Sequence, residues 1–327
     1  MIIRVGLLGA GYMGREHAKR YSLISGVELF AVSGCRKTRA FEFASQYGIN
    51  KVYLNPYELI EDKRIDIVDI CLPTPLHCEF VVEAAKARKH ILCEKPIALT
   101  VNDATKMIVA TKKAGVKFMV AHVLRFWPEY IVTKEIVDEG RLGEILQISA
   151  TRMCPPPRWS SRNWILNQEQ SGGVTIDLHI HDIDFIAYLL GKPNSLFSTG
   201  IKSQEGLCTH ISTVLKYSNK IASAEASFLM PADYGLHAQL RVVCENGLIQ
   251  LDSKAGKTLT VFELGKPPSY PTLPEKDGYL AEIEYFISCI LNNEEPQIVT
   301  PEDARLALQL VLEVKRSLEE GKEVYIL

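Results

Sequence analysis

The chain opens with an apolar run, residues 2–8, that ends on Gly9-Ala10-Gly11-Tyr12-Met13-Gly14 and then enters a helix-period segment, residues 13–24. Strand, glycine turn and helix in that order limit the fold more than any other feature. Gly9 allows a tight turn, Gly11 lets a ligand approach the backbone, and Gly14 lets helix and strand pack closely, with the helix N-terminus facing an anion. A glycine fingerprint alone is a weak signal; at the head of a βαβ unit it predicts a dinucleotide site.

The next hundred residues keep the same rhythm. Apolar runs at 27–32, 65–72, 90–93 and 117–121 read as buried parallel strands. Helix-period segments at 38–47, 56–61, 76–87 and 101–114 lie between them, and Gly115 is placed to end the last helix. Strand and helix in alternation predict a doubly wound parallel sheet, the Rossmann arrangement, over residues 1–121. Beyond it the pattern changes. A helix near residues 129–138, a strand over 145–152 and a stiff Cys154-Pro155-Pro156-Pro157 break lead to Gly172-Gly173 and a helix expected to run to about Leu190. Strand-like pieces follow at 195–202, 209–217, 221–228, 236–244, 248–252 and 259–262, with Asn246-Gly247 as a two-residue hairpin turn. Two amphipathic helices, 280–291 and 301–319, close the chain. Residues 122–327 are therefore predicted to form a second, α+β domain with an open, mainly antiparallel sheet.

Composition removes several function classes. Net charge is −2, so no global positive field draws the 327-residue chain to nucleic acid or to an anionic membrane. No apolar run reaches a membrane span, and the N-terminus reads as a strand and not as a signal peptide. The eight cysteines form no CxxC pair, which predicts reduced thiols in a cytoplasmic protein and no metal site.

The choice of nicotinamide dinucleotide should show at the end of the second strand. A carboxylate there would bind the ribose 2′-hydroxyl of NAD. The residues are Ser33-Gly34-Cys35-Arg36-Lys37-Thr38-Arg39, with no acid and three bases. Arg36 and Arg39 suit a 2′-phosphate, so NADP(H) is favoured, with NAD(H) possible.

At this point the chain resembles the Gfo/Idh/MocA oxidoreductases over nearly its whole length. The resemblance is carried by Gly9-x-Gly11-x-x-Gly14-x-x-His17, Pro73-Thr74-Pro75-x-His77, Glu94-Lys95-Pro96 and His122-x-x-Arg125-Phe126-x-Pro128. It continues in Gly140-x-x-Gly143 and Gly172-Gly173-x-x-x-Asp177-x-x-x-His181-Asp182. It implies an NAD(P)-dependent oxidoreductase acting on a sugar, cyclitol or related hydroxy or oxo compound, and a homodimer or homotetramer built on the open sheet. It implies cofactor contacts at Gly9, Gly11, Tyr12, Met13, Gly14, Ser33, Thr74, Pro75, His77, Glu94 and Lys95. It also implies a Lys95–Pro96 bond that is often cis.

For the chemistry, Lys95 supplies positive charge where alkoxide develops, His181 takes the hydroxyl proton, and Asp177 orients the ring or the substrate. Asp177 and His181, four apart, are expected on one face of one helix, with His179 turned away. Arg125, Arg162, Trp164 and Tyr234 join Asp177 and His181 as expected substrate contacts; Arg162 and Trp164 belong to a polar and aromatic stretch with Arg152, Arg158, Trp159 and Asn163. Two other function classes fit the same fold: a non-catalytic NAD(P)-sensing regulator, and a glycosidase-like enzyme that recycles its NAD.

Overall fold

The computed structural model describes residues 2–34 and 36–326; the side chains of Ser161 and Arg162 also lie outside the described set. In chain order the elements are β1 (Ile3–Leu8), α1 (Tyr12–Tyr21), β2 (Val27–Ser33), α2 (Lys37–Tyr47), β3 (Lys51–Tyr53), α3 (Pro56–Glu61), β4 (Ile67–Ile70), α4 (His77–Lys86), β5 (His90–Glu94), α5 (Val101–Ala114) and β6 (Phe118–Ala121). They continue as α6 (Pro128–Asp138), β7 (Ile145–Met153), α7 (Gln168–Ser171), α8 (Gly173–Asp177), α9 (Ile180–Leu190), β8 (Ser195–Lys202), β9 (Cys208–Lys216), β10 (Ile221–Ser227), β11 (His237–Cys244), β12 (Gly247–Asp252) and β13 (Leu259–Glu263). The last are α10 (Gly278–Leu291), α11 (Pro301–Glu320) and β14 (Val324–Tyr325).

The first six strands form one sheet in the order β3-β2-β1-β4-β5-β6, and every pair is parallel. β1 and β4 are fully or almost fully buried, as strands covered by helices on both faces must be. The order reverses between β1 and β4, and ligands of open α/β sheets bind beyond the strand ends at such a switch point. Gly115 ends α5 in the left-handed conformation, as its position predicts.

The other eight strands form a second sheet, β13-β12-β11-β7-β10-β9-β8-β14, antiparallel except where β10 meets β7. Its strands alternate buried and exposed positions, clearest in β11, where Gln239 and Arg241 point outward between buried neighbours. The β11–β12 turn falls one residue earlier than expected. Cys244 pairs with Gly247, so Glu245 and Asn246 make the turn. Gly247 is already in the ladder, where a Cβ would lie 2.4 Å from the Phe262 carbonyl oxygen.

The chain divides into two compact units, but not at residue 121. The first holds Met1–Phe126, Trp159–Arg162 and Asp277–Arg305; the second holds Trp127–Arg158, Asn163–Lys276 and Leu306–Leu327. The reason is the apolar face of α10. Ile283, Phe286 and Ile287 pack in one buried cluster with Ile3, Val5, Tyr21, Leu92 and Phe126. An amphipathic helix shows which face it buries, not against what, so its return to the first unit is a tertiary fact. Asp277 caps α10, accepting from the Leu280 N–H at 3.0 Å, and its carboxylate is also 3.3 Å from Arg20 Nε on α1.

Candidate active site

In the first unit the expected cofactor turn has the geometry its glycines require. Gly9 has φ +113°, and a Cβ there would lie 2.3 Å from the Cys71 carbonyl oxygen, so only glycine fits between β1 and β4. A Cβ on Gly14 would lie 2.0 Å from the Gly9 carbonyl oxygen. Gly11 is different: a Cβ there meets nothing within 4 Å. The chain leaves space beside Gly11, as a backbone that a ligand approaches would. Gly11 is also the N-cap of α1, with no side-chain cap and no acid in the first turn. The N-terminus of α1 thus keeps its positive dipole end for an anion, and the residues present fit a dinucleotide pyrophosphate.

The neighbouring strand ends complete this edge. Ser33 is buried at the end of β2, and its carbonyl accepts from Gly9 N–H at 2.9 Å. Arg36, Lys37 and Arg39 are exposed at the start of α2, which has no acid in its first turn. Cations there oppose the helix dipole, so they do not serve the helix. Thr74 is buried and Pro75 exposed in a short 3-10 turn after β4. Tyr12 is exposed, and its ring lies 4.5 Å from that of Trp159, centroid to centroid. Met13 is half-buried.

Lys95 follows β5. From Ile91 to Ala98 it is the one residue that is not buried, so the strand delivers a single side chain to the sheet's C-terminal edge. The Lys95–Pro96 peptide bond is cis. The Lys95 backbone N–H donates to Glu94 Oε2 at 3.1 Å. His77 is fully buried, with Nδ1 2.9 Å from the Pro96 carbonyl oxygen and Nε2 2.8 Å from that of Leu72. Burial lowers its basicity, against the pull of those two carbonyls. Both ring nitrogens face the protein's own backbone, tying the turn after β4 to the turn after β5. Arg125 has a structural task. It is buried and donates from Nη1 to the Ile298 carbonyl at 2.7 Å and to Asp303 at 3.2 Å, anchoring the chain between α10 and α11.

In the second unit Asp177 and His181 are not on one continuous helix. α8 ends at Asp177 and α9 begins at Ile180. The His179 N–H reaches back five residues to Val174, and the His181 N–H only three, to Leu178. The helical repeat breaks between them, because Gly172 and Gly173 (φ +75° and +63°) start a turn too short to continue. A four-residue spacing across such a break does not by itself set a common face. What the two residues share is exposure: both are half-buried, while the residues around them from Ser171 to Ile186 are buried. His179 is structural, as expected. It is fully buried, Nε2 is 2.9 Å from Thr213 Oγ1, and burial holds its pKa down at about 3.

Arg152 is buried too. Its guanidinium forms two 2.8 Å bonds with Asp182 and one of 3.0 Å with the Tyr130 hydroxyl, locking α9 onto β7. Tyr234 is half-buried, with its hydroxyl 3.0 Å from His237 Nδ1; His237 Nε2 is 2.8 Å from Asp252. With Nε2–H donated to that carboxylate, Nδ1 accepts from the tyrosine. The Asp252 carboxyl is held at about 2, first by the Lys254 N–H and then by Gln239 and His237. Trp164 is half-buried in a 3-10 turn. The side chain of Arg162 lies outside the described residues.

Residues 3–122 match the family described as "Oxidoreductase family, NAD-binding Rossmann fold", and residues 130–250 match the "GFO/IDH/MocA C-terminal domain". The chain belongs to the Gfo/Idh/MocA oxidoreductase family. It is 33% identical to the myo-inositol 2-dehydrogenase of Thermotoga maritima, over 98% of each chain. It is 28% identical to the scyllo-inositol 2-dehydrogenase (NAD(+)) of Bacillus subtilis strain 168, over 99% of this chain and 96% of that one. A solved probable dehydrogenase from Thermotoga maritima superposes with TM-score 0.86 at 31% identity, covering 99% and 98% of the two chains. A levoglucosan dehydrogenase solved with NADH and levoglucosan shares the fold, at TM-score 0.91 and 22% identity over the full length of both. As a Gfo/Idh/MocA protein this chain is an NAD(P)-dependent oxidoreductase.

Residue reading missed one part of the first unit: a set around His17 made of buried Asp69, Glu94 and Glu282 with half-buried Cys71 and Tyr279. The signal was present in the strand of β4, where Asp69 interrupts a run of isoleucine and valine (Ile67-Val68-Asp69-Ile70). A charged residue inside a fully buried strand needs a buried partner.

Proposed function

We propose that this protein is a dehydrogenase or reductase for the CH–OH group of a polyhydroxylated ring, a cyclitol or a sugar. The observation that carries the reading is Lys95, the one open side chain at the end of β5, on the edge that also carries the Gly9–Gly14 turn. Relatives named as inositol dehydrogenases over their full length support the substrate class.

A bound nicotinamide takes or returns the hydride. The chain supplies the rest. Gly9 and Gly14 shape the turn, and the open backbone at Gly11 with the N-terminus of α1 meets the pyrophosphate. Lys95 places positive charge where the substrate oxygen gains alkoxide character. The His181 imidazole takes the hydroxyl proton, and Asp177 orients the ring or the substrate. Tyr234 keeps the lone pairs of its hydroxyl available for a substrate hydroxyl, since its proton goes to His237. No step in this reading needs a metal.

Arg36 and Arg39 carry the finer reading, a preference for the 2′-phosphate of NADP(H) over NAD(H). Dissociation constants for NADPH and NADH, measured by nicotinamide fluorescence, test it: tighter NADPH binding that is lost in Arg36→Ala supports it, and tighter NADH binding refutes it. The reading also includes a homodimer or homotetramer, which light scattering tests. For the reaction itself, Lys95→Ala and His181→Ala should each lower kcat by about 100-fold or more while NADH still binds. Near-wild-type turnover of both variants on a polyol would refute the assignment.

A further inference from the structure

His17 lies on α1, three residues beyond Gly14, and is fully buried. Nδ1 is 2.8 Å from Asp69 Oδ2 on β4. Nε2 faces Glu94 Oε1 on β5 at 3.2 Å, an ion-pair distance although off the line of a hydrogen bond. Glu94 is itself buried, and its second oxygen accepts the Lys95 N–H. One ring therefore joins three consecutive parts of the cofactor-binding unit and ends at the backbone of Lys95.

We propose that His17 is a positioning residue for the oxidoreductase reaction: clamped between Asp69 and Glu94, it fixes the carboxylate that holds the Lys95 backbone, and so sets how Lys95 is presented. The proposal rests on the reading of Lys95 as a catalytic group.

The charges facing His17 make the clamp strong. Asp69 and Cys71 adjoin it from β4 and the turn beyond, Glu94 from β5, Tyr21 from its own helix, and Tyr279 and Glu282 from α10. Burial pulls the imidazole's pKa down, but Asp69 and Cys71 together outweigh it and hold that pKa well above its ordinary range. Glu282 is driven toward its neutral form. Both its oxygens are buried without a hydrogen-bond partner, and burial, with Glu94 and Asp69 adding to it, pushes its carboxyl well up. His17 stands between the two carboxylates, with Nδ1 on Asp69 and Nε2 facing Glu94. Neither carboxylate can turn elsewhere without leaving a buried charge unpaired, which costs several kcal/mol. Glu94 is thereby held in one orientation, and the Lys95 N–H with it.

The test is acetylation of Lys95 in the cofactor-free full chain, by limiting acetic anhydride read by mass spectrometry against the other lysines. Two variants are compared with wild type: His17→Gln, and the isosteric Glu94→Gln should His17→Gln fail to fold. In His17→Gln the relative rate at Lys95 should change by at least about threefold, because a Glu94 released from the clamp no longer fixes the backbone that presents the Lys95 side chain. With myo-inositol and NAD(+) as probes, kcat in either variant should fall by about tenfold or more, while in His17→Gln the NADH dissociation constant stays within about twofold. Labelling and kcat within about twofold of wild type in a folded variant would overturn the proposal. So would zinc bound one to one by the wild type and lost from His17→Gln, since His17, Cys71 and Glu94 offer donor atoms within 4.8 Å of one another. Labelling needs no substrate, so altered labelling beside a wild type inert toward polyols would leave the clamp standing and refute the substrate reading.

Discussion

Gly11 and Gly14 belong to one motif but answer to different pressures, and single substitutions separate them. Gly14→Ala drives a methyl against the Gly9 carbonyl and should cost about 1–3 kcal/mol of stability or more, seen as a lower denaturation midpoint. Gly11→Ala meets only open space, so stability should stay within about 0.5 kcal/mol while NADH binding weakens by about tenfold or more. Equal loss of stability in both variants would show that the space beside Gly11 is not kept for a ligand. Glu282 gives a pH test. Its pKa is raised in the folded state, so the folded protein holds a proton that the unfolded chain releases above its ordinary value near 4.5. Its contribution is complete below that value and is lost as pH rises toward the folded pKa. Glu282→Gln cannot ionise, so its stability should fall less than the wild type's as pH rises above about 4.5. His179 works in the opposite direction: its folded pKa is held down at about 3, so its contribution is complete above about 6.5 and fades as pH falls.

At the scale of elements, the Arg152–Asp182 pair shows what holds α9 to β7. Arg152→Met would leave Asp182 buried and unpaired, at a cost of about 3–5 kcal/mol by denaturant titration. Arg152→Met with Asp182→Leu should recover most of that, since the double change removes both charges. Most elements were legible in the chain because their periods are local. Runs of isoleucine, valine and leucine marked β1, β4 and β5, and the strands from β8 to β13 alternate clearly. Short β3 and β14 escaped notice, as two or three residues carry no period. The helix expected from Gly173 to Leu190 is broken near Leu178 because a hydrogen bond to Val174 skips a residue, which no side-chain pattern records. His77 and Arg125 entered the reading with the family motifs, and Arg152 with a polar and aromatic stretch. Only the fold shows that they are buried and bonded to the protein itself.

At the scale of the molecule, the glycine turn and Lys95 stand on one unit, and Asp177, His181 and Tyr234 on the other. The family-defining motifs were legible because each is a short string with a steric or electrostatic reason. The clamp around His17 was not, because its members come from residues 17, 69, 94 and 282 and meet only through the parallel sheet and the return of α10. Phe286 measures that return: Phe286→Ala should cost about 3–5 kcal/mol and should weaken NADH binding, although it lies some 270 residues from the glycine turn. The central claim is that Lys95 serves hydride transfer to or from a cyclitol or sugar alcohol. It is tested most directly by following nicotinamide absorbance at 340 nm, roughly its reduced-form maximum, in wild type and Lys95→Ala across a panel of inositols and sugars with NAD(+) and NADP(+). The account predicts turnover of at least one polyol by the wild type and a loss of about 100-fold or more in Lys95→Ala with cofactor binding retained. Equal turnover by both proteins, or none by the wild type on any member of the panel, would contradict it.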